Sequence, residues 1–523
     1  MKVFLRSNVS RPLFLGFLLP VSVFLVVSSI RLFQLPGAWY GDISEEHEYL
    51  SRILTGEYPY TFAVGAGPVY HYLITPIVAA LGQSLETYKI ASVIVGAIGI
   101  VGIYLLALEL SSRRVAFFSA LIAALSFWYI SWVRTGSTPV VVAPLLSSLT
   151  VVFAVRFRKH HRLSDVILGS FASSLGLFTH PSTFILPFVF IILLGWDGIF
   201  HRTGKRRWFG LVAAFVCFLP AVLLFLHIVL KQDALFLDAD GYVGRKVIGL
   251  MKEDPKVLIA RTGTYVVRTL LMLHVKGDTT FRYNVPGSPQ LDPISGLLFI
   301  AGIWYWFTRP QRTVAYAVFV PLVLFMIPSV LPTAPADEVP SMTRTLVATP
   351  FIFLIVAGGM DAIYQSIAAK HIRTACIAVG VFFVVVGSLN IVKYFYSYPM
   401  SLPNKNAAFD KIIASFIDDL PQTTPVYLTS CCWGDWGEPE PKAIYYRLVK
   451  KETRENIIQD RFITSCDSVP SIRPTILIVR PDDTDFIGRV RSCFPGGIGT
   501  LHKDRFGQSV FYSFLIPEAK NSE

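Results

Sequence analysis

Four ionisable side chains lie where long apolar runs end, and together they could drive a reaction in which a phosphate leaves and a hydroxyl attacks. They are Asp42, Arg134, His180 and Arg344. A carboxylate can take the proton from an attacking hydroxyl. Guanidinium groups can hold a phosphate and stabilise the negative charge that grows on it as it leaves. Ionisable groups at membrane depth are costly, so their positions indicate function.

Each of these residues also has a structural interpretation. Asp42 and Glu45 are spaced as in a capping box, in which Asp42 would begin the following helix. Arg134 follows a run of aromatic residues and could anchor a helix at the membrane interface. His180 precedes a proline and could be an interhelical hydrogen-bonding residue. Residue type alone leaves these alternatives open.

An acidic cluster follows Asp42 and comprises Glu45, Glu46, His47 and Glu48. Carboxylates and a histidine could bind a divalent cation. Adjacent residues point to different sides of a helix, however, so the spacing favours a solvated acidic face.

A second group of charges is Lys276, Asp278 and Arg282, which follow a predicted amphipathic helix over 259–275. That helix alternates apolar and basic residues at helical spacing, as expected of a helix on a membrane surface. Charges beside it would suit a phosphate or pyrophosphate headgroup. The alternative is a solvated loop between two anchors.

The elements that must position these residues are membrane helices. Of 523 residues, 53% are hydrophobic and 16% charged, and the mean hydropathy is +0.54. A soluble globular protein has about 25% charged residues, so most of this chain must lie in lipid. The net charge of +12 is distributed in short basic clusters between apolar runs. The positive-inside rule accounts for this pattern, so we expect no nucleic acid partner.

Apolar stretches of about 18 residues predict about eleven transmembrane helices. They lie near 13–33, 88–110, 115–133, 138–156, 164–179, 181–200, 208–230, 291–307, 313–331, 345–364 and 374–397. With a cytoplasmic N-terminus, every inside segment is basic, and an odd number of spans places the C-terminus outside. We therefore predict a multi-pass protein of the plasma (inner) membrane.

Two domains are predicted. Residues 1–400 form a transmembrane domain with extracytoplasmic loops at 36–86 and 231–290, and residues 401–523 form a small extracytoplasmic α/β domain. In the first loop, the apolar stretch 68–81 is too short to span and is expected along the interface.

Periodicity in the C-terminal domain predicts three helices and three strands. The helices lie at 407–420, 443–449 and 485–490, and the strands at 426–429, 475–479 and 509–515. Cys431, Cys432, Cys466 and Cys493 also lie there, and in an extracytoplasmic domain they would form one or two disulfides, with three connectivities if all pair. A zinc site is the alternative, although no CxxC spacing accompanies them.

The order of motifs along the first 365 residues resembles the GT-C glycosyltransferases, in particular the protein O-mannosyltransferase and aminoarabinose-transferase branch. The similar segments are the first-loop motif at 42–59, the Gly-Pro-Val-Tyr sequence at 67–70, the aromatic stretch ending in Arg134-Thr-Gly at 126–136, the Gly-Asp to Leu-Asp-Pro segment at 277–293, and the Arg to Pro segment at 344–350. No single motif is specific; their common order carries the resemblance.

The resemblance implies a polyprenyl- or dolichyl-phosphate sugar donor, inverting transfer and Asp42 as the general base. It also implies that Arg134 and Arg344, with Lys276 and Arg282, line the site of the donor phosphate. The acceptor hydroxyl would belong to a protein, a glycan or a membrane lipid.

The candidates for further contacts to the acceptor or the sugar are Glu45, Glu46, His47, His180 and Asp278. The family usually has Glu directly after the catalytic Asp, whereas this chain has Ile43 there. The second acid is therefore missing or supplied by Glu45 or Glu46. No cofactor is required, although a divalent cation is possible.

A secondary transporter or a lipid-handling membrane protein is the alternative function. A transporter would also have many spans with buried charges, but inverted repeats and helices broken by Gly or Pro in matching halves would accompany them. The sequence has neither, so we favour an enzyme.

Overall fold

The computed structural model describes most of the chain. The described residues are 11–39, 45–59, 67–136, 138–200, 205–231, 249, 252–308, 312–331, 334–429, 441–451, 457, 463–470, 472 and 474–517. Asp42 lies outside them, as do Cys431 and Cys432.

Long apolar helices dominate the described residues and establish a polytopic helical membrane protein. Six of these helices are long and apolar enough to cross a bilayer: Leu85–Leu110, Pro139–His160, Trp208–Ile228, Thr313–Val330, Leu346–Ala368 and Ile372–Ser401. A bent helix pair is a seventh candidate, and further apolar helices have 10–17 residues. The count of about eleven spans stays a prediction.

The chain divides into two units. The first comprises residues 1–31 and 49–395, and the second comprises residues 32–48 and 396–523. The first unit contains α1 (Arg11–Ser29), α3 (Val69–Leu81), α4 (Leu85–Leu110), α5 (Arg113–Leu125), α6 (Phe127–Arg134), α7 (Ala143–His160), α8 (Leu163–Ser174), α9 (Leu186–Phe200), α10 (Lys205–Lys231), α11 (Pro255–Leu271), α12 (Pro293–Phe307), α13 (Arg312–Val330), α14 (Thr349–Ala368) and α15 (Ile372–Val392). Helix α2 (Glu45–Leu54) runs across the division, and a π-helix at Lys393–Ser397 follows α15.

Small residues allow α12 and α14 to pack closely. A Cβ atom on Gly302 would lie 1.9 Å from the carbonyl oxygen of Ile355, and one on Gly359 would lie 2.2 Å from that of Leu298. Only glycine fits at these two positions. Close backbone approach through small residues is a common way to pack membrane helices, because lipid provides no hydrophobic drive for their association.

The third predicted span, 115–133, is not continuous, and this prediction was wrong in that respect. Helices α5 and α6 meet at Ser126 with a bend of 56°. Such a break frees backbone groups that must find partners inside the membrane. The Phe127 amide donates to Asn390 Oδ1 at 2.9 Å, and Asn390 Nδ2 donates to Asp292 Oδ2 at 3.0 Å. Helices α6, α12 and α15 are therefore joined at the break.

The second unit contains helices and a four-stranded sheet. The helices are α16 (Tyr398–Ser401), α17 (Phe409–Asp418), α18 (Pro441–Arg447) and α19 (Thr484–Cys493), and the strands are β1 (Val426–Leu428), β2 (Thr475–Val479), β3 (Ile498–Lys503) and β4 (Ser509–Ile516). The strand order is β1-β2-β4-β3, with β1 parallel to β2 and the other pairs antiparallel. Strand β3 was not predicted, because nearly all its residues are exposed and it has no apolar alternation.

One disulfide is present among the described residues of this unit. Cys466 and Cys493 are bonded, with their Cα atoms 6.3 Å apart. It connects the segment before β2 to the end of α19. This bond is one of the pairings that the sequence left open.

Replacing Asn390 tests the junction at the broken span. We expect Asn390→Ala to lower the free energy of unfolding by ~1–3 kcal/mol, since the buried Phe127 amide loses its acceptor. Thermal unfolding of the purified protein in detergent measures this. Ser388→Ala, on the same helix but exposed, is the matched control. Equal unfolding midpoints for the two variants would show that the junction contributes no stability.

Candidate active site

Arg134 lies at the end of α6 and is fully buried. Its Nη1 donates to the carbonyl oxygen of Val27 at 3.2 Å. Its guanidinium carbon lies 4.8 Å from the ring centroid of Tyr394 and 5.0 Å from that of Phe395. The alternative of an exposed interfacial anchor is therefore wrong. A cation shielded from water attracts an anion more strongly than one in bulk solvent.

Arg344 lies on the segment before α14, and its side chain is 23% exposed. Its Nη2 forms an ion pair with Glu338. Its Nη1 is buried and has no hydrogen-bond partner among the described residues. One face of the guanidinium is thus neutralised by a carboxylate, whereas the other retains a donor that an incoming anion could use.

Asp278 is buried and connects the second loop to the backbone near Arg344. Its Oδ1 accepts from the Thr280 amide at 2.7 Å, and its Oδ2 accepts from the Met342 amide at 2.8 Å. Burial raises the pKa of this carboxyl, and the two amides and the positive charge of Arg344 oppose that rise. Asp278 therefore fixes the segment that carries Arg344.

Aromatic contacts join α6 to the same assembly. The rings of Trp132 and Tyr283 stack with centroids 3.7 Å apart and planes 21° apart. Trp128 Nε1 donates to the Met342 carbonyl at 3.2 Å. Asn284 Nδ2 donates to the carbonyl of Asp278 at 2.7 Å. Helix α6, the loop 277–288 and the segment 341–346 thus pack as one assembly, which we call the arginine assembly.

The two other cations predicted to line the donor phosphate site differ in exposure. Arg282 is half-buried beside Tyr283, and Lys276 is exposed at the start of the loop. A half-buried guanidinium can contribute to a bound anion, whereas an exposed ammonium is weakened by solvent and salt.

His180 lies in the turn between two apolar helices, near enough to Arg344 to interact with its charge. Its Nδ1 accepts from the Ser182 amide at 3.2 Å and lies 2.8 Å from the Ser182 hydroxyl, so it caps its own turn. Burial, with a smaller contribution from Arg344, lowers its pKa to about 3. The imidazole is therefore neutral and can offer a hydrogen bond but no charge.

The acidic cluster of the first loop is not a solvated face, so that expectation was wrong for two of its members. Glu46 is buried, and His47 stacks on Tyr446 with ring centroids 4.1 Å apart. Glu48 is exposed and forms an ion pair with Lys442 at 3.1 Å. No group of three metal-ligating side chains gathers in the described part of the chain. The side chain of Glu45, like Asp42, lies outside that part.

Sequence reasoning missed three polar residues that support the arginines. Glu338 pairs with Arg344, Asn390 holds the broken span, and Asp292 caps α12 through the amides of Ile294 and Ser295. Asn390 had a signal, because a single amide in a long apolar run is costly unless it is bonded.

The fold is that of a polytopic helical membrane protein, and it is shared with proteins of known structure. The crystal structure of ArnT from Cupriavidus metallidurans bound to undecaprenyl phosphate is similar, with a TM-score of 0.54 and 13% identity, over 96% of this chain and 98% of that one. The apo state of the same protein gives a TM-score of 0.52 and 13% identity, over 95% of this chain and 97% of that one. Coverage near the full length of both chains means that the similarity includes the C-terminal part.

The sequence itself matches a family. Residues 65–225 match the dolichyl-phosphate-mannose-protein mannosyltransferase family. No curated protein matches the chain significantly. The resemblance to GT-C glycosyltransferases stated from the sequence is thereby confirmed.

Because the pKa of His47 is lowered in the folded protein, the stability of the protein should depend on pH. Burial, and secondarily the charge of Lys451, lowers this pKa from 6.5 to about 4. Below pH 6.5, His47 binds a proton in the unfolded chain but not in the folded chain. The contribution of His47 to the free energy of unfolding is therefore complete above pH 6.5 and decreases as the pH falls towards 4. We expect the unfolding midpoint to fall more between pH 7 and pH 5 in the wild type than in His47→Phe. His371→Phe, at an exposed histidine, should follow the wild type. Parallel curves for all three proteins would contradict the assignment.

Proposed function

We propose that this protein is a glycosyltransferase that moves a sugar from a polyprenyl-phosphate donor to an acceptor hydroxyl at the extracytoplasmic face of the membrane. The observation that carries the proposal is the arginine assembly, in which Arg134 and Arg344 come from distant parts of the chain onto elements in mutual contact. The fold is that of a protein whose structure was determined with undecaprenyl phosphate.

The arginines would bind the donor phosphate. Arg134 provides a desolvated guanidinium, and Arg344 provides the Nη1 donor that no described residue occupies. As the bond between the sugar and the phosphate breaks, negative charge grows on the phosphate, and both cations stabilise it. Arg282 would add a third charge, and Lys276 would attract the headgroup at the membrane surface.

Asp42 would act as the general base. Its carboxylate takes the proton of the acceptor hydroxyl while the hydroxyl oxygen bonds to the anomeric carbon, and the bond from that carbon to the phosphate oxygen breaks. The electron pair of the broken bond goes to the polyprenyl phosphate. A single displacement from the opposite face inverts the anomeric configuration.

The sugar and acceptor would meet neutral hydrogen-bonding groups as well as charges. His180, uncharged and near Arg344, can bond a sugar hydroxyl without competing for the phosphate. Glu45, Glu46 and His47 are the candidates on the acceptor side, and the acceptor would be a protein, a glycan or a lipid.

We propose that the protein lies in the plasma (inner) membrane with its N-terminus in the cytoplasm. The basic clusters between the apolar runs support this orientation, because the positive-inside rule places such clusters on the cytoplasmic side.

A transporter is the second candidate, and the broken span favours it. Helices interrupted within the membrane often form substrate sites in transporters. Among the described residues, α5 and α6 together form one such interrupted helix. A transporter would not need a carboxylate at position 42, so the two functions make different predictions.

Removing the carboxylate of Asp42 distinguishes them. We expect Asp42→Asn and Asp42→Ala to reduce transfer of labelled mannose from undecaprenyl-phosphate mannose by at least ~10²-fold, the usual contribution of a general base. Expression and the unfolding midpoint should not change. Asp485→Asn, at an exposed carboxylate, is the matched control and should retain full turnover. Turnover by Asp42→Asn equal to that of the control would exclude Asp42 as the base.

A further inference from the structure

Gln290 is a buried glutamine at the end of the loop that follows helix α11. The residue is 1% exposed, and neither its Oε1 nor its Nε2 has a hydrogen-bond partner among the described residues. An amide that is taken out of water without a partner lowers the stability of the fold. The chain therefore keeps an unfavourable group at this position, and a ligand that bonds the amide would explain it.

The backbone around Gln290 is fixed on two sides. The Gln290 backbone amide donates to the Met272 carbonyl at 3.0 Å. Lys393 Nζ donates to the carbonyl of the preceding residue, Pro289, at 2.7 Å. Gln290 is thus held between the segment that follows α11 and the π-helix that begins at Lys393, so a shift of the loop does not relieve its burial.

A second buried amide, that of Asn284, has an acceptor oxygen in the same condition. Its Nδ2 donates to the Asp278 carbonyl at 2.7 Å and to the Ser288 carbonyl at 2.9 Å, which uses both amide hydrogens. These two acceptors also fix which side-chain atom is the nitrogen, since an oxygen could not donate to them. Asn284 Oδ1 is buried and has no hydrogen-bond partner in the part of the chain that the structure describes.

The side chains of Asn284 and Gln290, which we call the amide pair, approach each other around Gly277. Asn284 Nδ2 bonds the Ser288 carbonyl, and a Cβ atom on Gly277 would lie 2.1 Å from that oxygen and 2.7 Å from Gln290 Nε2. Position 277 therefore requires glycine. The next residue, Asp278, belongs to the arginine assembly, so the amide pair lies beside the proposed phosphate site.

The chemistry of the amide pair favours a ligand with hydroxyl groups over a phosphate. The oxygens of a phosphodiester carry no hydrogen at neutral pH, so they cannot donate to Asn284 Oδ1. Gln290 offers one acceptor oxygen and two N–H donors. A hydroxyl group both donates and accepts, so a ligand with several hydroxyl groups can satisfy both amides. A sugar whose phosphate is bound by the neighbouring arginines is such a ligand.

We infer that the amide pair is the subsite for the sugar of the donor, and that Gln290 is a specificity-determining residue that bonds one of its hydroxyl groups. The inference rests on the proposed function and deepens it, because it separates sugar recognition from phosphate binding. The arginines hold the phosphate whichever sugar is attached. The amide pair rejects a sugar that lacks the bonded hydroxyl, since that ligand would leave a buried amide unpaired.

The affinity of Gln290→Leu for two ligands tests the inference. The ligands are undecaprenyl phosphate and its mannosyl, glucosyl or galactosyl derivative, whichever the wild type binds most tightly. We expect Gln290→Leu to raise the Kd for the glycosyl lipid at least ~10-fold and to change the Kd for undecaprenyl phosphate less than ~3-fold. Arg344→Gln should raise both. Equal changes for the two ligands in Gln290→Leu, or no change for either, would overturn the inference.

Thermal unfolding of the same variants without ligand separates a binding role from a structural one. An apolar side chain of similar volume removes the cost of burying an unpaired amide, so the unfolding midpoint of Gln290→Leu should equal or exceed that of the wild type. Gln365→Leu is the matched control, because Gln365 Nε2 donates to Asp361 Oδ2 outside the arginine assembly. Its midpoint should fall, and both of its Kd values should match the wild type. A midpoint of Gln290→Leu below that of the wild type would show that the amide serves the fold and would overturn the inference.

The outcomes keep this inference separate from the proposed function. If Asp42→Asn is inactive in transfer and Gln290→Leu binds the glycosyl lipid as the wild type does, the sugar subsite fails and the proposed function stands. If Asp42→Asn is fully active, the proposed base fails, whereas a selective loss of glycosyl-lipid affinity in Gln290→Leu still identifies the subsite. If the wild type binds no glycosyl lipid more tightly than undecaprenyl phosphate, the amide pair does not recognise the sugar and the inference is wrong.

Discussion

The hydrogen bond from the Phe127 amide to the side chain of Asn390 is the contact on which the candidate site depends. A membrane helix interrupted at Ser126 exposes backbone donors in a medium that offers no water, and an unpaired donor there costs several kcal/mol. Asn390 Oδ1 accepts a hydrogen bond from one of them, and Asn390 Nδ2 donates to Asp292, which caps α12. The bend can therefore exist at a fixed angle, and Arg134 at the end of the second half-helix acquires a fixed position.

The rest of the site follows from that position. The stacking of Trp132 on Tyr283 fixes the loop to α6, and the buried carboxylate of Asp278 fixes the same loop to the backbone near Arg344. Two guanidinium groups are held on one assembly by neutral contacts and by two carboxylates, Asp278 and Glu338. Positive charge held in this way is a preorganised site for an anion, since no reorganisation is needed when the charge develops.

The periodicity of apolar residues predicted the helices and strands of the C-terminal part well, but it did not predict how helices are interrupted or joined. Strand β2 has the predicted bounds, and the helices of the C-terminal part were found to within a few residues. The break at Ser126 was missed because it contains neither Gly nor Pro, so the apolar run reads as continuous. The burial of Arg134 was also beyond prediction, because residue type does not distinguish an interfacial anchor from a desolvated cation. The grouping of 32–48 with 396–523 depends on contacts between residues hundreds of positions apart, for which periodicity carries no signal. The roles assigned to Asp42 and the arginines stay predictions.

The most direct measurement of the central claim is the affinity of the purified protein for undecaprenyl phosphate. The account predicts that Arg134→Gln and Arg344→Gln each raise the Kd at least ~10-fold, equivalent to about 1.4 kcal/mol, because each removes one cation from the phosphate. Arg261→Gln, which breaks an ion pair with Glu253 outside the assembly, should leave the Kd unchanged. If all three variants bind undecaprenyl phosphate as tightly as the wild type, the arginine assembly does not bind the donor phosphate and the account is wrong.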